Sequence, residues 1–308
     1  VLQEPNSAGA PSTSERRGSS AATSVLSLES LHTRSTSRHF AKSIAATTTH
    51  RTGDKTVKLV VSDESHLHVL GGTMEDCQDL GVLEQPPALL ADGSSASVRS
   101  LTFINDTAVV AGLSSGAVCV WALSSGRGSV LQFHHVGGTT SLAADERPSH
   151  RCWSGGDALV HHFVATVGAD GAVRVSDEVT LQQETLVTAL AYQYPWLAVG
   201  TASRTICIWS WPSAQSEPRA LRTLIAHRGF ISALSSSERH LFSASSDGTV
   251  RVWKLPPPVP QLRREPVGAE EDGSHWSALQ ALSAPSSEHG DVVTTLAVSG
   301  DSLLSLSQ

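Results

Sequence analysis

His227, Ser243 and Asp247 are the three side-chain types of a hydrolytic triad, gathered in one short stretch of the chain. In a triad the histidine takes the serine proton and the carboxylate orients the histidine, so geometry and not membership identifies it. Ser243 stands in Phe242-Ser243-Ala244-Ser245, without the flanking glycines of the elbow that lifts a nucleophile into solvent. A second group, His150, Cys152, His161 and His162, has donor types that hold zinc. Its spacing follows no zinc-ligand pattern, and Gly155-Gly156-Asp157 reads as a plain turn. The sequence thus predicts no catalytic residue and no metal ligand, and these histidines need another explanation.

The elements around them supply one. Val98-Arg99-Ser100-Leu101, Thr139-Thr140-Ser141-Leu142, Val187-Thr188-Ala189-Leu190, Ile231-Ser232-Ala233-Leu234 and Val293-Thr294-Thr295-Leu296 share a pattern: a β-former, two small or polar residues, then Leu. Their first residues lie 41, 48, 44 and 62 positions apart. A period near 40–45 marks a β-propeller, whose units are each too small to bury their own apolar face. The cleanest unit follows Ile231, with strand b at Leu241–Ser245, a tight turn at Asp247-Gly248 and strand c at Thr249–Trp253. Trp121, Trp209 and Trp253 close strand c in three units, 88 and 44 residues apart. His135, His227 and His289 each lie four residues before a strand-a motif, and Ser94 and Gln183 fill that slot elsewhere.

The run Ser243-Ala244-Ser245-Ser246-Asp247-Gly248-Thr249-Val250-Arg251-Val252-Trp253 resembles the WD40 repeat, and the resemblance covers roughly residues 95–308. It implies an all-β, WD40-type β-propeller with about five full blades and the start of a sixth, part of a seven-bladed ring. The units span about 38–92, 93–134, 135–182, 183–226, 227–288 and 289–308, the last cut off before its turn. A weaker first unit is read at Val57–Val61 and Leu67–Leu70, with Glu64 in the turn. Unit three is read with its b–c turn at Ala169-Asp170-Gly171, strand c at Val173–Val175, Ser176 in place of Trp, and residues 143–162 as an insertion between strands a and b. The resemblance also implies that His227, Ser243, Asp247 and Trp253 form a structural hydrogen-bonded tetrad inside one blade.

Composition sets the outer bounds. At 308 residues, 40% hydrophobic and 17% charged, the chain suits one propeller domain, and it has no apolar run long enough for a transmembrane helix. The net charge of −7 argues against binding nucleic acid as the main task. Cys77, Cys119, Cys152 and Cys207 form no C-x-x-C pair, which suits a reducing compartment, cytoplasmic or nuclear. Residues 1–37 contain 14 Ser or Thr and read as a disordered leader, with Arg16-Arg17-Gly18-Ser19 suiting a basophilic kinase. The start at Val1 and the stop at Gln308 within a strand point to a piece of a longer protein. Pro256–Pro260 reads as a stiff linker leading through Arg263-Arg264 and Glu270-Glu271-Asp272 to a strand near Trp276–Leu282.

The resemblance places function on one rim, made by the loops before strand a and the b–c turns. Its partner-binding candidates are Arg228, Phe230 and Ser246 in one unit and Leu186, Ala202 and Ser203 in the unit before, with Ser114 and Ala169 in other turns. The expected function is a non-catalytic scaffold for other proteins in a multiprotein complex, with no cofactor, membrane or small-molecule substrate. One alternative is substrate recognition for a ubiquitin ligase, since the terse units resemble the propellers of zinc-finger or RING WD40 proteins. Another is RNA binding through Arg99, Arg174, Arg204 and Arg228.

Overall fold

The computed structural model describes residues 43–51, 54–62, 67–72, 77–83, 96–225, 227–256, 278–283, 292–299 and 302–307. The leader with Ser19, Glu64, Ser94, residues 257–277 and His289 lie outside the described residues. Among the described residues every regular element is a strand, and the strands form antiparallel sheets. Sheet one holds β1 (Ser43–Arg51), β2 (Asp54–Ser62), β3 (Leu67–Gly72) and β4 (Cys77–Leu83). Sheet two holds β5 (Val98–Ile104), β6 (Ala108–Leu113), β7 (Ala117–Ala122) and β8 (Gly128–His134). Sheet three holds β9 (Ser141–Ala144), β10 (Arg151–Gly155), β11 (Leu159–Val167) and β12 (Val173–Gln182). Sheet four holds β13 (Val187–Gln193), β14 (Trp196–Thr201), β15 (Thr205–Ser210) and β16 (Arg219–Ile225). Sheet five holds β17 (Ile231–Ser236), β18 (His240–Ser245), β19 (Thr249–Lys254) and β20 (Ala278–Ser283). Sheet six pairs β21 (Val293–Ser299) with β22 (Ser302–Ser307).

Each sheet is a meander, and the first strands β1, β5, β9, β13, β17 and β21 pack against one another in series. Apolar side chains from consecutive sheets meet in the gaps between them. Val60 and Leu67 join Val98, Phe103 and Trp121, and Ile104 and Val110 join Cys152 and Phe163. Trp153 and Val160 join Leu190, Tyr192 and Val199, and Ile206 and Ile208 join Ile231 and Trp253. The middle strands are therefore apolar on both faces, as in Ala108–Leu113, where every residue is buried. The outermost strand β16 is exposed along most of its length.

Sheet three corrects the sequence reading. The expected insertion at 143–162 contains strand β10 and the start of β11, so Cys152, His161 and His162 belong to a sheet and His150 stands immediately before β10. Ala169-Asp170-Gly171 turns between β11 and β12, and Val173–Val175 opens the outermost strand rather than the third. An Asp-Gly pair supports any tight hairpin, because Gly171 supplies φ +71° whichever strands it joins. The b–c turn of this sheet is instead Gly156-Asp157-Ala158, between β10 and β11.

The strand-a motif has a physical basis. Its first residue is buried in Val98, Val187, Ile231 and Val293. Its second residue falls at a break in register with strand b, between Val98 and Ser100, Val187 and Ala189, Ile231 and Ala233, and Val293 and Thr295. A bulge of this kind re-aims the extra side chain. The Ser232 hydroxyl donates to the carbonyl of Val293 in the next sheet. Thr140, just ahead of β9, places its hydroxyl 2.7 Å from the carbonyl of Val187 and 3.0 Å from that of Gly155. Small hydroxyl residues in the motif thus stitch one sheet to the next. Thr188 is the exception: its buried hydroxyl has no hydrogen-bond partner. Thr140→Val is expected to destabilise the fold by about 1–2 kcal/mol, and Thr188→Val by less than about 0.5 kcal/mol, in equilibrium urea unfolding. Equal losses would contradict the stitching role.

Candidate functional site

The end of each sheet where strand a begins is built by two backbone segments, the approach to strand a and the b–c turn. In sheet five, buried polar groups tie them together. The Trp253 indole N–H donates to Ser243 Oγ at 2.9 Å, and Ser243 Oγ lies 2.7 Å from His227 Nε2. His227 Nδ1 lies 3.1 Å from Asp247 Oδ2. One direction of donation satisfies all of them: Trp253 to Ser243, Ser243 to the bare Nε2, and Nδ1–H to the carboxylate. Asp247 then accepts from the Arg228 amide at 2.7 Å, the Thr249 amide at 3.0 Å and the Thr249 hydroxyl at 2.6 Å. The chain of bonds runs from the sheet interior to the backbone on both sides of the rim.

The electrostatics fit a neutral imidazole. Burial lowers the His227 pKa and outweighs the attraction of Asp247. Burial alone would raise the Asp247 carboxyl, but the Thr249 side chain and the Arg228 and Thr249 amides hold it down at about 2. Ser243 has no exposed surface, so no substrate carbonyl can approach its hydroxyl, and this Ser–His–Asp set lacks the access a nucleophile needs.

Sheet three repeats the arrangement where the sequence reading placed a loop. His135 Nε2 lies 3.1 Å from Ser154 Oγ, and His135 Nδ1 lies 3.1 Å from Asp157 Oδ1. Asp157 accepts from the Val136 amide at 3.1 Å and the Leu159 amide at 3.2 Å, as Asp247 does from Arg228 and Thr249. Phe163, two residues past the partner of Ser154 in β11, stands where Trp253 stands in sheet five and brings no donor. The signal was present in Ser154 and Asp157, displaced because the connection between β9 and β10 is longer than that between β17 and β18.

The four residues weighed as zinc ligands are spread through sheet three. His150 Nδ1 lies 2.9 Å from Asn105 Nδ2 at the far end, and the Cys152 side chain is buried in the core. His161 faces His135 with ring centroids 4.9 Å apart, and burial and His135 lower its pKa to about 4. The His162 Nε2 lone pair accepts from the Nε of the buried Arg151, whose guanidinium also donates to Tyr192 Oη and the Trp211 carbonyl in sheet four. Among the described residues no three His, Cys, Asp or Glu side chains are grouped as metal ligands.

Of the rim candidates, Arg228, Phe230, Leu186, Ala202 and Ser203 are exposed and Ser246 is half-buried. Leu186 and Phe230 hold the same position in adjacent sheets, immediately before strand a, and are 46% and 44% exposed. Their backbones are fixed from the turns, since Ala202 N donates to Leu186 O at 2.9 Å and Ser246 N to Phe230 O at 3.0 Å. Val136, which follows His135 as Arg228 follows His227, is 78% exposed and was not singled out from sequence, where a valine there reads as strand. Ser114 lies in the same kind of turn, its amide donating to Ser97 O at 2.8 Å. Ala169 does not: the β11–β12 hairpin places it, with Arg174, at the opposite end of the sheet.

Ser243→Ala removes the acceptor of Trp253 and the donor to His227 together, and is expected to destabilise by about 2–4 kcal/mol. Ser154→Ala strands the histidine alone, for about 1–3 kcal/mol. Equilibrium denaturation that reverses this order would contradict the assignment of the two networks.

Residues 218–254 match the family of the WD domain, G-beta repeat. No curated protein matches the chain. One chain in the crystal structure of a mitotic checkpoint complex is similar in fold, with a TM-score of 0.57 and 18% sequence identity, covering 82% of this chain and 68% of that chain. The strand order and the shared fold together make the chain a β-propeller, in which residues 218–254 match a WD repeat.

Proposed function

We propose that this propeller is a non-catalytic scaffold that binds other proteins through the rim where the first strands begin. The observation that carries the reading is the pair Leu186 and Phe230, equivalent apolar side chains left exposed on adjacent sheets with their backbones held by the neighbouring turns. Large side chains on a pre-formed backbone lose little freedom on docking, and an aromatic beside an arginine is the composition of interface hot spots. Phe230 and Arg228 supply that pair, and Val136 extends the apolar surface to a third sheet. The similar fold found in a mitotic checkpoint complex supports a place in a multiprotein assembly. Its thiols, scattered and without a disulfide among the described residues, fit a reducing compartment.

RNA binding draws less support. Arg174 lies at the far end of sheet three with its guanidinium 2.6 Å from Asp170, away from Arg204 and Arg228. Affinity purification with the wild-type chain and with the double variant Arg228→Glu, Phe230→Ala tests the scaffold reading. The variant is expected to keep the wild-type melting temperature and to recover partner proteins at least about tenfold less. Equal recovery of the same proteins would remove the rim from the interface.

A further inference from the structure

Sheet four carries the register of sheet five 44 residues earlier. It keeps donors at Gln183 and Trp209, but Val199 stands where Ser243 accepts and Ser203 where Asp247 does. No carboxylate therefore anchors its b–c turn, which is closed by the Thr201, Ser203 and Thr205 hydroxyls. The residue just before strand c is where this turn departs furthest from its relatives. In sheets two and five that residue is Gly116, at φ +90°, and Gly248, at φ +76°; in sheet four it is Arg204, at φ +70°. Each closes the same turn through its amide, Gly116 donating to Leu113 O at 2.9 Å, Gly248 to Ser245 O at 3.2 Å and Arg204 to Thr201 O at 3.3 Å. Glycine takes this left-handed conformation without steric cost, whereas a Cβ strains it. The fold alone would be served better by glycine, so the strain points to a task for the arginine side chain.

The Arg204 side chain is exposed, and so is that of Arg228. Among the described residues Arg147 and Arg174 pair with Asp145 and Asp170, whereas neither Arg204 nor Arg228 has a side-chain partner. The carboxylates of the same turns and approaches are turned elsewhere: Glu184 lines the cleft along β15 and β16, and Asp247 binds His227. Around the two guanidiniums the surface is apolar. The Leu186 carbonyl accepts the Ala202 amide from the Arg204 turn, and Ile225 is the β16 partner of Thr205, the residue after Arg204. Leu186 and Ile225 are 46% and 75% exposed, and Phe230, two residues past Arg228, is 44% exposed. We infer that Arg204 and Arg228 are the charged part of a docking surface for an acidic, extended segment of a partner protein, whose carboxylates flank an apolar side chain seated on Leu186, Ile225 and Phe230. A guanidinium binds a carboxylate bidentately, and apolar neighbours that exclude water strengthen the pair. The unmet demand of this surface is for carboxylates beside an apolar group. Leu186 and Ile225 offer a nucleic acid neither stacking nor charge, so an acidic peptide fits better than RNA. This surface deepens the scaffold reading, on which it rests in that the occupant is a protein, and adds Arg204 and Ile225 to the rim.

Random linear dodecapeptides displayed on phage are panned against the full chain. The best synthetic peptide is then titrated by fluorescence anisotropy into the wild type, Arg204→Gly, Arg204→Lys and the rim variant Arg228→Glu, Phe230→Ala. Enriched peptides are expected to carry Asp or Glu on both sides of a large apolar residue. Arg204→Gly is expected to bind at least about tenfold more weakly while melting no lower than the wild type, since glycine relieves the turn. Arg204→Lys, which keeps the charge without the planar fork, should fall between the two. An arginine with only a structural role would give the reverse, lower melting with unchanged binding. No enriched peptide, enriched peptides without acidic residues, or wild-type binding by Arg204→Gly would each overturn the proposal. Tighter binding of a single-stranded RNA pool with the same dependence on Arg204 would overturn it too. Unchanged peptide binding by Arg204→Gly, with partner recovery lost in the rim variant, would refute this surface and leave the scaffold reading standing. Tenfold weaker peptide binding by Arg204→Gly, with equal partner recovery by the rim variant, would refute the wider rim and support the Arg204 surface.

Discussion

A buried N–H group must find an acceptor, and much of this propeller's rim follows from where that demand is met. In sheet five the Trp253 indole is met by Ser243, Ser243 is oriented by His227, and His227 is held by Asp247. The carboxylate at the end of the chain still has capacity, and it takes the backbone amides of Arg228 and Thr249. Interior packing and rim geometry are therefore one system. Low polarity around the buried part strengthens these bonds, and leaving one unmade would be correspondingly expensive.

The same demand is met differently from sheet to sheet. Sheet three keeps the histidine and carboxylate and gives up the indole, and its rim segment is still held through the Val136 amide. Sheet four keeps the donors without the acceptors, and its turn is held instead by a ring of hydroxyls on Thr201, Ser203 and Thr205. It also contains Thr188, whose hydroxyl does not bond to the next sheet.

The repeat was legible because the strand-a motif carries its own physics. The β-branched first residue is buried, and the polar second residue sits at a bulge. Sheet five was legible down to single residues, since His227, Ser243, Asp247 and Trp253 all stand at their expected offsets. Sheet three was misread because Asp170-Gly171 has the chemistry of a hairpin turn but not a unique place in the sheet. The b–c turn there uses Gly156 and Asp157, and its strand c carries Phe163 where a tryptophan marker would stand. Exposure at the rim was legible only in part. Phe230 and Arg228 stand out by residue type, whereas Val136 is revealed only by the backbone that turns it outward.

The buried network anchors the rim locally. Hydrogen–deuterium exchange of the wild type and of His227→Ala, followed by mass spectrometry, tests it most directly. Faster exchange is expected at Arg228 and at residues 246–249, whose amides depend on the position of Asp247, with residues 237–239 at the far end of the sheet unchanged. Unchanged exchange at 246–249, or an equal rise at both ends of the sheet, would contradict it.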